Sequence, residues 1–140
     1  METMAETEKL SDLIKKGTRV VSLSGLTSIS AKSYVLSKLQ NETKKTLVVV
    51  TDSNRELETF ENDLMFFQSQ IQNHKSQIET LPSFESDVYS SISPHAETLE
   101  RRALALWNLS KSKPNFVLTS AKSLITKILS PAEIQKLGSV

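Results

Sequence analysis

The chain has 140 residues, 38% hydrophobic and 24% charged, which excludes a disordered polymer and suits one domain with one core. Its formal charge is +1, with Lys and Arg interspersed among Asp and Glu, so the footprint of a strong nucleic-acid binder is missing and only weak DNA binding is expected of the chain itself. It has no cysteine, hence no disulfide or thiolate metal site, which fits a reducing cytoplasm; METMAETEKL carries no basic leader, and the longest aliphatic run, LVVV, is far short of a membrane span.

The pattern alternates between helical and extended periods. Glu6 to Lys16 predicts a short amphipathic helix with Leu10, Leu13 and Ile14 on one face and Gly17 as its stop, giving an N-terminal helix over 1–17 and one domain over 18–140. Arg19 to Leu23 reads as a strand. Ser28 to Leu39 carries Ala31, Val35, Leu36 and Leu39 at helical spacing, with NETKK as the closing loop. TLVVVT follows as a nearly continuous apolar strand, the mark of a parallel strand covered on both faces. Asp52 or Ser53 caps a helix in which Leu57, Phe60, Leu64 and Phe67 recur at three- and four-residue steps, and SQIETLP is a weaker strand.

The segment Ser83 to Ser93 has no period. A helix then opens with Ser93 as N-cap, Pro94 in the first helical position and Glu97 in the first turn; Leu99, Ala103 and Leu106 form its buried stripe, with Trp107 beside them. NFVLTS is a fourth strand, AKSLITKIL a helix, and SPAEIQKL a last helix with a Ser-Pro start. Strands alternating with helices predict an α/β fold with an open, mostly parallel sheet and flanking helices.

SGLTSISAKS lies where a strand hands over to a helix, the seat of a phosphate-binding loop. A working loop, G-x-x-x-x-G-K-[ST], needs glycines so that backbone N–H groups close on the phosphates, a Lys for the terminal phosphates and a hydroxyl for magnesium. Counted from Gly25, Ser30 stands at the second glycine, Ala31 at the Lys and Lys32 at the hydroxyl. Counted back from Lys32 and Ser33, Leu26 and Ala31 occupy the glycine positions, where side chains oppose close approach. The one-residue shift turns Lys32 by roughly 100° about the helix. No acidic pair follows NFVL, only Thr119 and Ser120. The loop, with Gly25, Thr27, Ser30, Lys32 and Ser33, is therefore a degenerate phosphate loop.

Four segments in order, LSGLTSISAKSYVLSKL, TLVVVTDSNRELETFENDLMFF, LPSFESDVYSSISPHAETLERRALALWNL and NFVLTSAKSLITKIL, resemble the N-terminal segment of the bacterial transcription-repair coupling factor (Mfd) family, from about Val20 to about Pro131. The sharpest part is Pro82, Phe84 and Glu85, Tyr89, and Ser93-Pro94-His95; Asp87 and Val88 before Tyr89 and Ser90 after it depart from the family's usual Leu-Pro and acid.

The resemblance implies a degenerate RecA-like domain of the helicase type over 18–140, the first part of a module similar to the excinuclease B protein within a larger multidomain protein. It implies a non-catalytic role in transcription-coupled nucleotide excision repair. The parent's partners would be the excinuclease A protein through the neighbouring subdomain, and RNA polymerase and DNA through downstream domains. ATP and magnesium would belong to the parent's downstream motor, with no cofactor for this segment. The link near Tyr89 to Ser93 is too short for the DNA-clamping hairpin of the excinuclease B protein, so direct damage verification is not expected.

Phe84, Glu85, Tyr89 and His95 mark a candidate partner-binding loop, because long irregular loops in α/β domains tend to carry binding. His74 and His95 are far apart with no acid cluster, so no metal site and no catalytic set is expected. Arg101 and Arg102 read as a solvated face paired with Glu97 and Glu100; Phe66 and Phe67 read as one core residue and one helix-end contact, and Trp107 as core. Two rival functions are a small nucleotide-binding ATPase or phosphotransferase using Lys32 and Ser33 in an atypical loop, and a freestanding adaptor binding protein through Phe84 to Ser93.

Overall fold

The computed structural model describes residues 2–71, 76–85 and 95–138, with only the backbone described for 2–7. The elements are α1 (Glu2–Lys15), α2 (Ile29–Thr43), β1 (Leu47–Thr51), α3 (Asn54–Ile71), β2 (Ile78–Leu81), α4 (Ala96–Lys111), β3 (Phe116–Ser120), α5 (Ala121–Leu124) and α6 (Pro131–Leu137). The expected α/β class with a parallel sheet is present. Among the described residues the sheet has three strands in the order β1-β3-β2, and both pairings are parallel.

Register and period two assign the faces. Leu47 and Val49 lie level with Phe116 and Leu118 on one face, together with Ile78; Val48 and Val50 lie level with Val117 and Thr119 on the other, together with Glu79 and Leu81. The first face carries the core: Leu57, Phe60 and Leu64 of α3 pack on Phe116 and Leu118, all buried. A second cluster, Leu10, Val35 and Leu39, joins α1 to α2 and receives Val21 and Leu26. On the other face α4 covers the β2 side, where Asn108 Nδ2 donates to both Glu79 carboxylate oxygens at 3.1 and 3.2 Å.

The strand expected at Arg19 to Leu23 is not formed. Strands exist through pairing, and this stretch makes no backbone hydrogen bond to β1 among the described residues. Val21 anchors it to the α1–α2 cluster while Val20 is 85% exposed. The stop before it is as expected: Gly17 has φ +82°, and the Gly17 and Thr18 N–H groups donate to the Ile14 and Leu13 carbonyls. NETKK is not wholly a loop, because α2 continues to Thr43 and ends at Lys44 in the left-handed region, φ 54°.

Three helix expectations are corrected in the C-terminal half. Helix α4 begins at Ala96 with His95 in the cap position and no side-chain cap bond; Ser93 and Pro94 lie outside the described residues. Its buried residues are Arg102 and Ala105, whereas Leu99 and Ala103 are exposed and Leu106 and Trp107 half-buried. AKSLITKIL yields only the short α5, and Ile125, Ile128 and Leu129 are exposed. An apolar run without surface to cover it gains nothing from continuing as a helix. Phe66 is exposed and Phe67 meets Tyr34 edge-on at 5.5 Å, so neither belongs to the core.

Helix α6 has the start its sequence predicts. Ser130 Oγ accepts from the Glu133 N–H while a Glu133 carboxylate oxygen accepts from the Ser130 N–H at 2.8 Å, a capping box, and Gly138 ends the helix against the Trp107 ring. The Ser130 hydroxyl, which donates to the same Glu133 carboxylate oxygen at 2.7 Å, and the Ser130 N–H together hold the Glu133 carboxyl below the usual carboxylate range. A lowered folded-state pKa means that the contribution is present above the ordinary carboxylate value and is lost as pH falls through the folded one. Acidification from about pH 6 to about pH 3 is therefore expected to loosen α6. Emission of Trp107, the single tryptophan, reports the change, and Glu133→Ala makes that part of the acid response disappear.

Candidate functional site

In open parallel sheets ligands and partners meet the protein beyond the carboxyl ends of the strands. Here those ends are Thr51, Leu81 and Ser120, and two groups of residues gather there. The first is the SGLTSISAKS loop with the cavity beside it, and the second is the start of the candidate partner-binding loop.

The cavity is about 660 Å³ and lies between the stretch Thr18–Leu26, the first half of α2 and the C-terminal half of β1. Its apolar wall includes Val35, Leu36, Val49 and Phe60; its charged groups are Arg19, Lys32, Asp52 and Glu56. Gly25 turns the chain at φ +87°, Thr27 N–H donates to the Gly25 carbonyl at 3.1 Å, and Ser28 caps α2 by accepting from Ala31 N–H at 3.1 Å.

The loop residues part ways after that. Lys32 lines the cavity, but Ser30 Oγ donates to Asp63 of α3 at 2.7 Å, and Ser33 is fully buried with no hydrogen-bond partner for its hydroxyl among the described residues. Ser30 and Ser33 share the α2 face turned to α3, where the Ser37 carbonyl accepts from Gln68 Nε2. A hydroxyl sunk in a helix interface is out of reach of a metal at the loop. Thr119 and Ser120 are also committed to structure: Thr119 Oγ1 donates to the Leu81 carbonyl, and Ser120 Oγ accepts from Ser123 N–H to cap α5.

The second group differs from its sequence reading. Arg102 is 4% exposed and does not pair with Glu97 or Glu100. Its guanidinium donates to the Pro82 carbonyl and, at 2.6 Å, to Ser123 Oγ, and lies 4.5 Å over the Phe84 ring. Burial lowers its pKa from the usual value, since desolvation opposes the charged form, yet an arginine remains protonated at neutral pH. Arg101 pairs with Glu61 of α3.

Asn54 completes the clamp from the other side, accepting from Ser83 N–H and donating to the Ser83 carbonyl, each at 2.8 Å. Glu85 is exposed and accepts from Asn54 Nδ2 at 3.4 Å. Of the four loop candidates, Phe84 and Glu85 are thus held at the strand ends, His95 is exposed at the α4 cap, and Tyr89 lies outside the described residues, as does His74. Asn54 is the residue that sequence reasoning missed, and Arg102 is one it misread as solvated; the one available signal was an Arg at the helical spacing of Ala105.

No protein-family model and no curated protein matches this chain. Among the described residues, no group of three or more His, Asp or Glu side chains could hold a metal ion, and no helix is long and apolar enough to cross a membrane.

The clamp makes a stability prediction. Removing Arg102 leaves the buried Pro82 carbonyl only the long bond from Ser123 Oγ at 3.4 Å, so Arg102→Ala is expected to cost about 2 kcal/mol in urea unfolding. Arg102→Lys recovers less than half of that, because an ammonium cannot serve carbonyl, hydroxyl and ring face from one planar fork. Amide exchange at Ser83 rises in both variants; unchanged exchange would show that the guanidinium does not hold the segment.

Proposed function

We propose that the chain is the non-catalytic, degenerate RecA-like scaffold domain of a transcription-repair coupling factor. It belongs, on this reading, to the module that brings the excision-repair machinery to stalled RNA polymerase in the bacterial cytoplasm. The observation that carries the non-catalytic part is the burial of Ser33, with its hydroxyl in the α2–α3 interface instead of at the loop mouth. The ordered motifs from Val20 to Pro131 carry the parent assignment, and the parallel α/β sheet is consistent with it.

The role of such a domain is mechanical: it presents the Pro82–Glu85 segment and holds neighbouring subdomains, while the excinuclease A protein meets the adjacent subdomain and ATP and magnesium serve the downstream motor. A nucleotide-binding rival has one observation in its favour, since Arg19 and Lys32 line the cavity together. Asp52 and Glu56 line it as well and would repel phosphates.

The test of the parent assignment is genetic. Deleting the codons for residues 18–140 from the encoding gene is expected to abolish preferential repair of the transcribed strand, measured as strand-specific removal of ultraviolet lesions. Unchanged strand preference would refute the assignment.

A further inference from the structure

Among the described residues the sheet ends at β1 with an unfilled edge, since β1 pairs there with β3 alone. The Leu47 N–H donates to the Asn115 carbonyl at 3.0 Å, on the β3 side. In a parallel ladder the direction of the peptide groups alternates along the strand, so Val49 and Thr51 also address β3, and the N–H and C=O groups of Val48 and Val50 point to the free edge. Val48 and Val50 are 59% and 49% exposed, β-branched and apolar, without the charge, proline or bulge that normally blunts an edge.

The cavity of about 660 Å³ lies along the C-terminal half of this edge, lined by Val49, Val50 and Thr51. Its far wall is the stretch that includes Arg19, Val21 and Leu23, which connects through α2 to β1 and makes no backbone hydrogen bond to it among the described residues. We propose that this groove is a strand-acceptor site, and that its occupant is an extended, apolar segment of a partner polypeptide added to β1.

The chemistry selects that occupant. An unpaired N–H and C=O separated by one residue are matched by the backbone of an extended chain, and β-strand addition uses main-chain bonds for affinity and alternate side-chain positions for specificity. The groove fixes the alternation too. One set of side chains meets Val35, Leu36 and Phe60 and is apolar there, while Arg19, Lys32, Asp52 and Glu56 line the polar remainder of the groove; the other set lies beside Val50 on the uncovered face. A β-branched partner strand fits both. The inference rests on the free edge and does not depend on the assignment to a coupling factor, so the two can fail separately.

The test uses the whole chain and a blocked synthetic peptide, KPNFVLTS, which copies residues 113–120, the strand that already pairs with β1 on its other edge. Titration followed by amide exchange and NMR shifts is expected to show saturable binding, with Val48 and Val50 amides slowed about tenfold or more. Val50→Pro removes an edge donor without touching the β3 ladder, a place where proline is tolerated, and is expected to weaken binding about tenfold, equivalent to about 1.4 kcal/mol. Absence of binding at millimolar peptide would overturn the proposal, as would binding that Val50→Pro leaves unchanged. Val48 and Val50 amides already protected in the free monomer would overturn it by showing the edge filled from within. Protection that appears only on self-association would overturn it in favour of a second copy. If Val50→Pro does not fold, the exchange pattern of the unaltered protein decides alone.

Discussion

The arrangement depends on β3 being paired on both edges. Phe116 and Leu118 are wholly buried because a strand lies on each side and α3 lies across them. The register is set at the entrance to β3 by Asn115, whose carbonyl accepts from Leu47 N–H while its side-chain oxygen accepts from Gln77 N–H, both at 3.0 Å. Thr46 Oγ1 adds a bond to the Pro114 carbonyl at 2.7 Å. Once β1 and β2 are aligned on β3, their carboxyl ends come together, and the loop, the cavity and the Arg102 clamp follow from that alignment.

A buried arginine with no carboxylate partner among the described residues is a costly way to fix a loop, because desolvation acts against the charge. Here the cost is offset by a carbonyl, a hydroxyl and an aromatic face on three different residues, Pro82, Ser123 and Phe84. The exit of β2, the start of α5 and the middle of α4 are thereby tied through one planar group, with Asn54 tying the same exit to α3. This explains how an irregular segment such as Pro82–Glu85 keeps one position at the end of the sheet.

Elements with strong periodicity were legible in the sequence. LVVV, NFVLTS and the Leu57, Phe60, Leu64 stripe each declared themselves, as did the stops and starts set by Gly17, Ser28 and Ser130, because caps and periods are local properties. The cover expected on both faces of LVVV is not there, since Val48 and Val50 are exposed. What was not legible depended on partners distant in sequence. Arg19 to Leu23 has the composition of a strand, but a strand needs an edge within reach. The polar face of α4 could be told from its buried face only by knowing that Pro82 and Ser123 would lie against Arg102. The departure of SGLTSISAKS from the phosphate-loop pattern was readable residue by residue, whereas the burial of Ser33 required the packing of α2 on α3.

The central proposal is that SGLTSISAKS is a structural turn and not a nucleotide site. Calorimetric titration of the purified chain with magnesium-ATP, beside Lys32→Ala, tests it most directly. The account predicts no saturable heat at millimolar nucleotide for either protein. Saturable micromolar binding that is lost in Lys32→Ala would contradict it and make the chain a nucleotide-binding domain.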